Sequence, residues 1–199
     1  MKEQLLNEGF TTFSINDALL DSISSIAKND NIFNILKISF NGIENNEPSP
    51  FNDFNSNENK KNELLNTNGL SQLWHWMADN DKITHKLIYK IFSKFYDYDE
   101  SELNIMSSIT LFTKGCFIEN HIDGVNSNRI AGILIYLNKN YDEENGGCLV
   151  VKDNTKIIPE YGNVVIIDYT KNSIKHLVTE VIKNNRKAIC AFIHKKTII

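Results

Sequence analysis

After Glu102 the chain becomes a succession of short β-branched runs separated by turn residues, and that pattern limits the fold more than any other feature. The runs are Ile105 to Phe112, Arg129 to Leu137, Cys148 to Lys152, Lys156 to Ile158, Val164 to Asp168, His176 to Ile182 and Lys187 to His194. Between them lie Gly124, Asn145-Gly146-Gly147, Asp153-Asn154, Pro159 with Gly162, and Asn184-Asn185. Gly, Asn and Asp accept turn conformations that β-branched residues resist. Strands of this length and spacing fold as a sandwich or barrel.

The front half reads differently. Gly9 to Ile15 has strand composition, and Ser14 or Asn16 then caps a helix running to about Lys28, with Leu19, Leu20, Ile23 and Ile26 at helical spacing. Asn31 to Ile43 is apolar and leans toward strand. From Glu44 to Asn68 the composition turns to Asn, Glu, Ser, Pro and Lys, which predicts a mobile loop, with a lid over a site as the alternative. Leu70 to Met77 and Asp81 to Phe95 are predicted as helices. In the second, Ile83, Leu87, Ile88, Ile91 and Phe92 form a core stripe, while Lys82, Lys86, Lys90 and Lys94 share a solvated face. Trp74 and Trp76 read as packing residues, and His75 and His85 have no partners at ligand spacing. The expected organisation is one domain over 1–199. Residues 1–104 form a helical bracing region carrying loop 44–68, and residues 105–199 form the β core.

Charge and cysteine usage narrow the partners. A net charge of −4 with no extended basic cluster argues against nucleic acid. The stretch Met1 to Glu8 is too polar for a secretory leader, and no apolar run approaches the ~20 residues of a membrane span. A cytoplasmic protein is expected, with no membrane partner and an undetermined oligomeric state. Cys116, Cys148 and Cys190 are scattered and odd in number, so a disulfide framework is not expected, and without a CxxC pair neither is the commonest zinc pattern. Of the 21 basic residues only Arg129 and Arg186 are arginines. In a lysine background, an arginine points to a place that needs its planar fork of donors.

The chemistry starts at Phe112-Thr113-Lys114-Gly115-Cys116-Phe117-Ile118-Glu119-Asn120-His121-Ile122-Asp123. On an extended backbone His121 and Asp123 point the same way and can share a metal. His176, at the start of a later strand, is the candidate third ligand. Two histidines and one carboxylate make the facial set of non-heme Fe(II) oxygenases. Arg186 follows the Asn184-Asn185 turn, which reads as a hairpin returning the chain toward His176, and a guanidinium there can clamp a carboxylate at two points. A keto acid chelating the metal at one end and salt-bridged at the other suits this pairing. Three ligands alone would also serve a zinc hydrolase, which leaves Arg186 without a role.

From about Ile105 onward the chain resembles the Fe(II)- and 2-oxoglutarate-dependent oxygenases, and within them the prolyl-hydroxylase-like branch. The motifs that carry the resemblance are Phe112-x-x-Gly115-x-Phe117-Ile118-x-x-His121-x-Asp123; Arg129 followed by Ile135-Tyr136-Leu137-Asn138; Gly146-Gly147-Cys148-Leu149; Pro159-x-x-Gly162-Asn163-Val164-Val165; and His176-x-Val178 through Arg186 to Phe192. The resemblance implies a mainly β protein with N-terminal helices (α+β), built on a double-stranded β-helix (jelly-roll, cupin-like) core. It implies His121, Asp123 and His176 on Fe(II), Arg186 and Tyr136 on the distal carboxylate of 2-oxoglutarate, O2 as co-reactant, and Arg129 toward substrate. Strand parity places Gly132, Leu134 and Tyr136 on one face, and Arg186, Ala188, Cys190 and Phe192 in another inward row. Phe112 stands where the family often has Tyr, and Asp123 where halogenating relatives have Gly or Ala. The implied reaction is hydroxylation of an aliphatic C–H of an amino acid or amino-acid residue, free or in a small peptide or natural product, releasing succinate and CO2. The alternatives are a protein prolyl hydroxylase and a non-catalytic metal-binding jelly roll.

Overall fold

Val164, Val165, Ile166 and Ile167 are successive residues of one strand and all are buried, with Val164 and Ile166 on one face and Val165 and Ile167 on the other. A strand buried on both faces needs cover on both sides. Here helices cover one face and a second sheet covers the other.

The computed structural model describes residues 1–28, 34–37, 71–76, 82–123, 128–170 and 174–196. The helices among them are α1 (Lys2–Glu8), α2 (Ala18–Ile26) and α3 (Lys82–Phe92). The strands are β1 (Phe10–Ser14), β2 (Asn34–Lys37), β3 (Ser71–Trp76), β4 (Leu103–Phe112), β5 (Ile118–His121), β6 (Arg129–Tyr136), β7 (Leu149–Val151), β8 (Thr155–Ile157), β9 (Asn163–Asp168), β10 (His176–Val178) and β11 (Arg186–Lys195). They form a seven-stranded sheet in the order β1-β9-β6-β11-β4-β3-β2 and a four-stranded sheet in the order β5-β10-β7-β8. The ladders are antiparallel throughout. This is the jelly roll expected from the sequence.

Each face of the large sheet has its own core. Leu20 and Ile23 of α2 and Leu87, Ile88, Ile91 and Phe92 of α3 pack on Ile109, Ile133, Ile135, Val164, Ile166, Ile189 and Ile193. Each such side chain taken fully out of water contributes about 1.5–3 kcal/mol. Between the sheets, Phe112, Tyr136, Val165, Ile167 and Ala188 meet Leu149, Val151, Ile157 and Val178. Phe112 and Tyr136 of this second core pack against Arg186. No helix among the described residues is long and apolar enough to cross a membrane.

The structure corrects four local expectations. Residues 71–76 are a strand, not part of a helix over Leu70 to Met77, with Leu73 opposite Leu111 and Trp74 opposite Thr110. Pairing with β4 decides their state, and aromatic residues suit it. The region expected to be helical bracing therefore supplies three strands of the large sheet. Helix α2 is capped by Asp17 rather than by Ser14 or Asn16: Asp17 Oδ1 accepts from the Leu19 N–H at 2.9 Å, and Lys90 Nζ from α3 holds Oδ2 at 2.6 Å. Finally, β10 and β11 are not a paired hairpin. β10 pairs with β5 and β7, while β11 pairs with β4 and β6, so the Asn184-Asn185 turn carries the chain between sheets. The segment Glu44 to Asn68, with its loop or lid, lies outside the described residues.

Candidate active site

In the ladder between β5 and β10, His176 stands directly opposite His121. Opposed residues of an antiparallel pair project to the same side, and the two imidazoles meet with ring centroids 4.3 Å apart. Asp123, two residues beyond His121, turns back onto both: Oδ1 lies 3.4 Å from His121 Nε2 and Oδ2 lies 3.6 Å from His176 Nε2. One ligand atom from each of the three residues fits within 4.8 Å of the others.

Backbone carbonyls set the state of the rings. His121 Nδ1 is 2.8 Å from Glu119 O, and His176 Nδ1 is 3.0 Å from Ile174 O. A carbonyl only accepts, so both Nδ1 atoms carry a proton, and Nε2 is the nitrogen each ring turns toward the cluster. Such hydrogen bonds behind a ligating imidazole orient the ring and raise its basicity. Burial alone would raise the Asp123 pKa, but the His121 side chain, the His176 ring and the Tyr169 hydroxyl outweigh it and hold the carboxyl at about 2. Burial holds His176 below the usual imidazole range. His121 stands above that range because its bonds to Asp123 and Glu119 outweigh its burial. The set is one carboxylate and two neutral-capable nitrogens on a common face, a donor set that suits Fe(II) with positions left open.

Arg186 is buried more deeply than the three residues of the cluster. It is 2% exposed, with its guanidinium carbon 4.8 Å from the Phe112 ring centroid and 5.1 Å from that of Tyr136. Arg186 Nε and Tyr136 Oη are buried with no hydrogen-bond partner of good geometry, and the Arg186 guanidinium is near enough to Tyr136 to oppose the upward pull of burial on its phenol. Unpaired polar atoms at such depth cost free energy and occur where another group completes them. A carboxylate would satisfy both, so these residues fit the distal end of 2-oxoglutarate. Phe112 offers its ring face to the guanidinium where a tyrosine would have offered a hydroxyl. Burial, with help from Asp123, raises the Cys190 thiol to about 12, while Arg186 and Arg129 pull it the other way. Cys190 thus lies on the inward row between the clamp and the ligand cluster.

Arg129 opens β6 on the same side. Its guanidinium carbon lies 4.3 Å from the Phe192 ring centroid and 5.4 Å from that of Tyr169, and its Nε is buried and unpaired. Tyr169, beside the cluster, escaped the sequence analysis, and Gly147, beside Arg186, was read there only as a turn and motif position. Tyr169 donates its hydroxyl to Asp123 Oδ2. The signal was parity, since Tyr169 continues the inward row of Val165 and Ile167 one step past the strand's expected end. Gly147, at φ +64, passes so close to Arg186 that a Cβ there would stand 2.9 Å from its Cδ.

Comparison with known proteins agrees with this geometry. Residues 107–194 match the family described as the 2OG-Fe(II) oxygenase superfamily. The fold is shared with a Pseudomonas putida prolyl-4-hydroxylase (12% identity, TM-score 0.66, covering 98% of this chain and 97% of that one). It is also shared with a Trichoplax adhaerens prolyl hydroxylase solved with a hypoxia inducible factor oxygen degradation domain peptide (14%, 0.66, 98% and 87%). A third similar structure is a 2OG-Fe(II) oxygenase family oxidoreductase from Burkholderia pseudomallei (17%, 0.62, 98% and 90%). A search of curated proteins returns no match. The matched segment contains His121, Asp123, His176 and Arg186. Residues 107–194 thus resemble a family of enzymes that work with Fe(II), 2-oxoglutarate and dioxygen, and among the described residues His121, Asp123 and His176 form a group that could hold a metal ion.

Proposed function

We propose that the protein hydroxylates an aliphatic C–H of an amino acid, or of an amino-acid residue in a small peptide or natural product, and that 1–199 works as one domain. His121, Asp123 and His176 hold Fe(II), Arg186 and Tyr136 hold the distal carboxylate of 2-oxoglutarate, and Arg129 meets the substrate. The observation that carries this reading is the pair of buried, unpaired atoms Arg186 Nε and Tyr136 Oη. A zinc hydrolase or a non-catalytic metal site on the same three ligands gives them no partner.

When bound, Fe(II) and 2-oxoglutarate together activate dioxygen and supply the oxidant for the C–H bond, with succinate and CO2 as co-products. The chain's residues make that possible. Arg186 fixes the cosubstrate through charge-assisted bonds, strengthened because Phe112, Val178 and Val181 keep water out. His121 and His176 hold their Nδ1 protons on Glu119 O and Ile174 O, which turns both Nε2 atoms toward the metal position. Asp123, held ionised, gives the cluster a single negative charge.

The test is anaerobic addition of Fe(II) and 2-oxoglutarate, followed by the weak visible charge-transfer band of the chelate. The band should form in the native protein and vanish in His176→Ala. Its absence in the native protein, or its survival in that variant, overturns the reading. Peptidyl proline is the second substrate class, favoured by the peptide bound to the Trichoplax enzyme. Succinate release with free amino acids against proline-rich peptides separates the two.

A further inference from the structure

A carboxylate has two oxygens, and a metal centre works differently with one than with both. Unrestrained, Asp or Glu binds a cation through either one oxygen or two. Asp123 is restrained, because Tyr169 donates its hydroxyl to Oδ2.

Several features bring that hydroxyl to its place. The Tyr169 N–H donates to Ile130 O at 2.9 Å, extending the β6–β9 pairing past the end of β9. Asp168 Oδ1 then accepts from the Thr170 N–H at 2.8 Å and from Thr170 Oγ1 at 2.6 Å, so the chain bends directly after the tyrosine. The Arg129 guanidinium lies against the ring. In the middle of β6, Gly132 leaves the space the ring occupies. A Cβ at 132 would stand 2.9 Å from Tyr169 Oη and 3.0 Å from Cε2. Glycine weakens a strand interior and marks a close approach there.

We propose that Tyr169 is a positioning residue of the metal centre: its hydroxyl claims one oxygen of Asp123 and leaves the other to the cation, and Gly132 is the residue that lets the phenol reach it. The proposal rests on His121, Asp123 and His176 being the metal ligands. Tyr169 touches a ligand rather than the reacting atoms, so its influence is on how the carboxylate binds. Removing such a supporting partner typically weakens metal affinity 10–100-fold.

The experiment is anaerobic titration with Co(II) alone, a redox-stable stand-in with a visible ligand-field spectrum. It compares the native protein, Tyr169→Phe, Gly132→Ala and the double variant. Tyr169→Phe should bind Co(II) at least about 10-fold more weakly and change the band intensities, as carboxylate attachment alters coordination number. Gly132→Ala should do the same by displacing the phenol. In the double variant the two losses should not add, because one interaction is removed twice. Native affinity and an unchanged spectrum in Tyr169→Phe overturn the proposal and leave the tyrosine a packing residue. Should Gly132→Ala fail to fold, Tyr169→Phe, which keeps the ring, decides alone. A native protein that binds no Co(II) overturns the ligand assignment itself, a result distinct from the failure of Tyr169.

Discussion

Arg186→Lys is the substitution whose size can be worked from the site. The native guanidinium is 2% exposed, framed by Phe112 and Tyr136, and carries an unpaired Nε. Lysine keeps the charge but loses the fork, so a carboxylate held at two points is held at one. One charge-assisted hydrogen bond is worth about 1.5–3 kcal/mol, or roughly 10- to 150-fold in 2-oxoglutarate affinity. Thermal shift reads this directly. At a cosubstrate concentration of about 100 times the native Kd, binding stabilises the native protein by about 2.7 kcal/mol. The variant would gain about 0.3–1.4 kcal/mol under the same conditions. For a domain of this length about 1 kcal/mol moves Tm by roughly 2–4 °C, so a native shift of about 5–11 °C should fall to about 1–6 °C. The assay is differential scanning fluorimetry with a redox-inert divalent metal, with and without 2-oxoglutarate. Without cosubstrate the variant should melt close to the native protein, because the lost group had an unpaired nitrogen to begin with. An undiminished 2-oxoglutarate shift would refute the clamp. So would a variant that melts far lower before any cosubstrate is added, since Arg186 would then be a structural residue.

Gly147→Ala should harm both the fold and the clamp. Alanine in the left-handed region costs about 1–2 kcal/mol, and its Cβ meets Arg186 Cδ at 2.9 Å and Val181 Cγ2 at 3.1 Å; urea unfolding checks the first effect and 2-oxoglutarate titration the second. Asp123 predicts a limb of the acid-stability profile. Its folded pKa of about 2 lies below the unfolded value of 3.8, so its contribution is complete above about pH 4 and is lost as pH falls toward 2. Asp123→Asn should flatten that limb for the metal-free protein, followed by circular dichroism; an unchanged limb would show that other carboxylates set it.

What was legible in the sequence was what depends on alternation and local spacing. Most strands after Glu102 appear within a residue or two of where punctuation placed them; the run His176 to Ile182 is strand only as far as Val178, and β5 was not among the expected runs. His121 and Asp123 share a side because their spacing on extended backbone requires it. What stayed hidden depends on partners distant in sequence. The pairing of β3 with β4 makes Trp74-His75-Trp76 a strand, and nothing within those residues reports it. Asp17 rather than Ser14 or Asn16 caps α2, a choice that Lys90 on another helix reinforces. The closing turn changes sheets because β11 has β4 and β6 as neighbours, leaving no edge for β10. Tyr169 lay one residue past the expected end of its strand, on a face that only the second sheet defines.

The place of β11 has a consequence for how the protein is made. Arg186–Lys195 lies between β4 and β6 and pairs with β4 along its whole length. Until that segment leaves the ribosome, the strands on either side have an open gap between them. Synthesis proceeds at about 5–20 residues per second, and pairings this distant in sequence form slowly. Arg186, proposed above to hold the cosubstrate, opens this same strand, so the closing of the large sheet and the placing of that guanidinium depend on one pairing event.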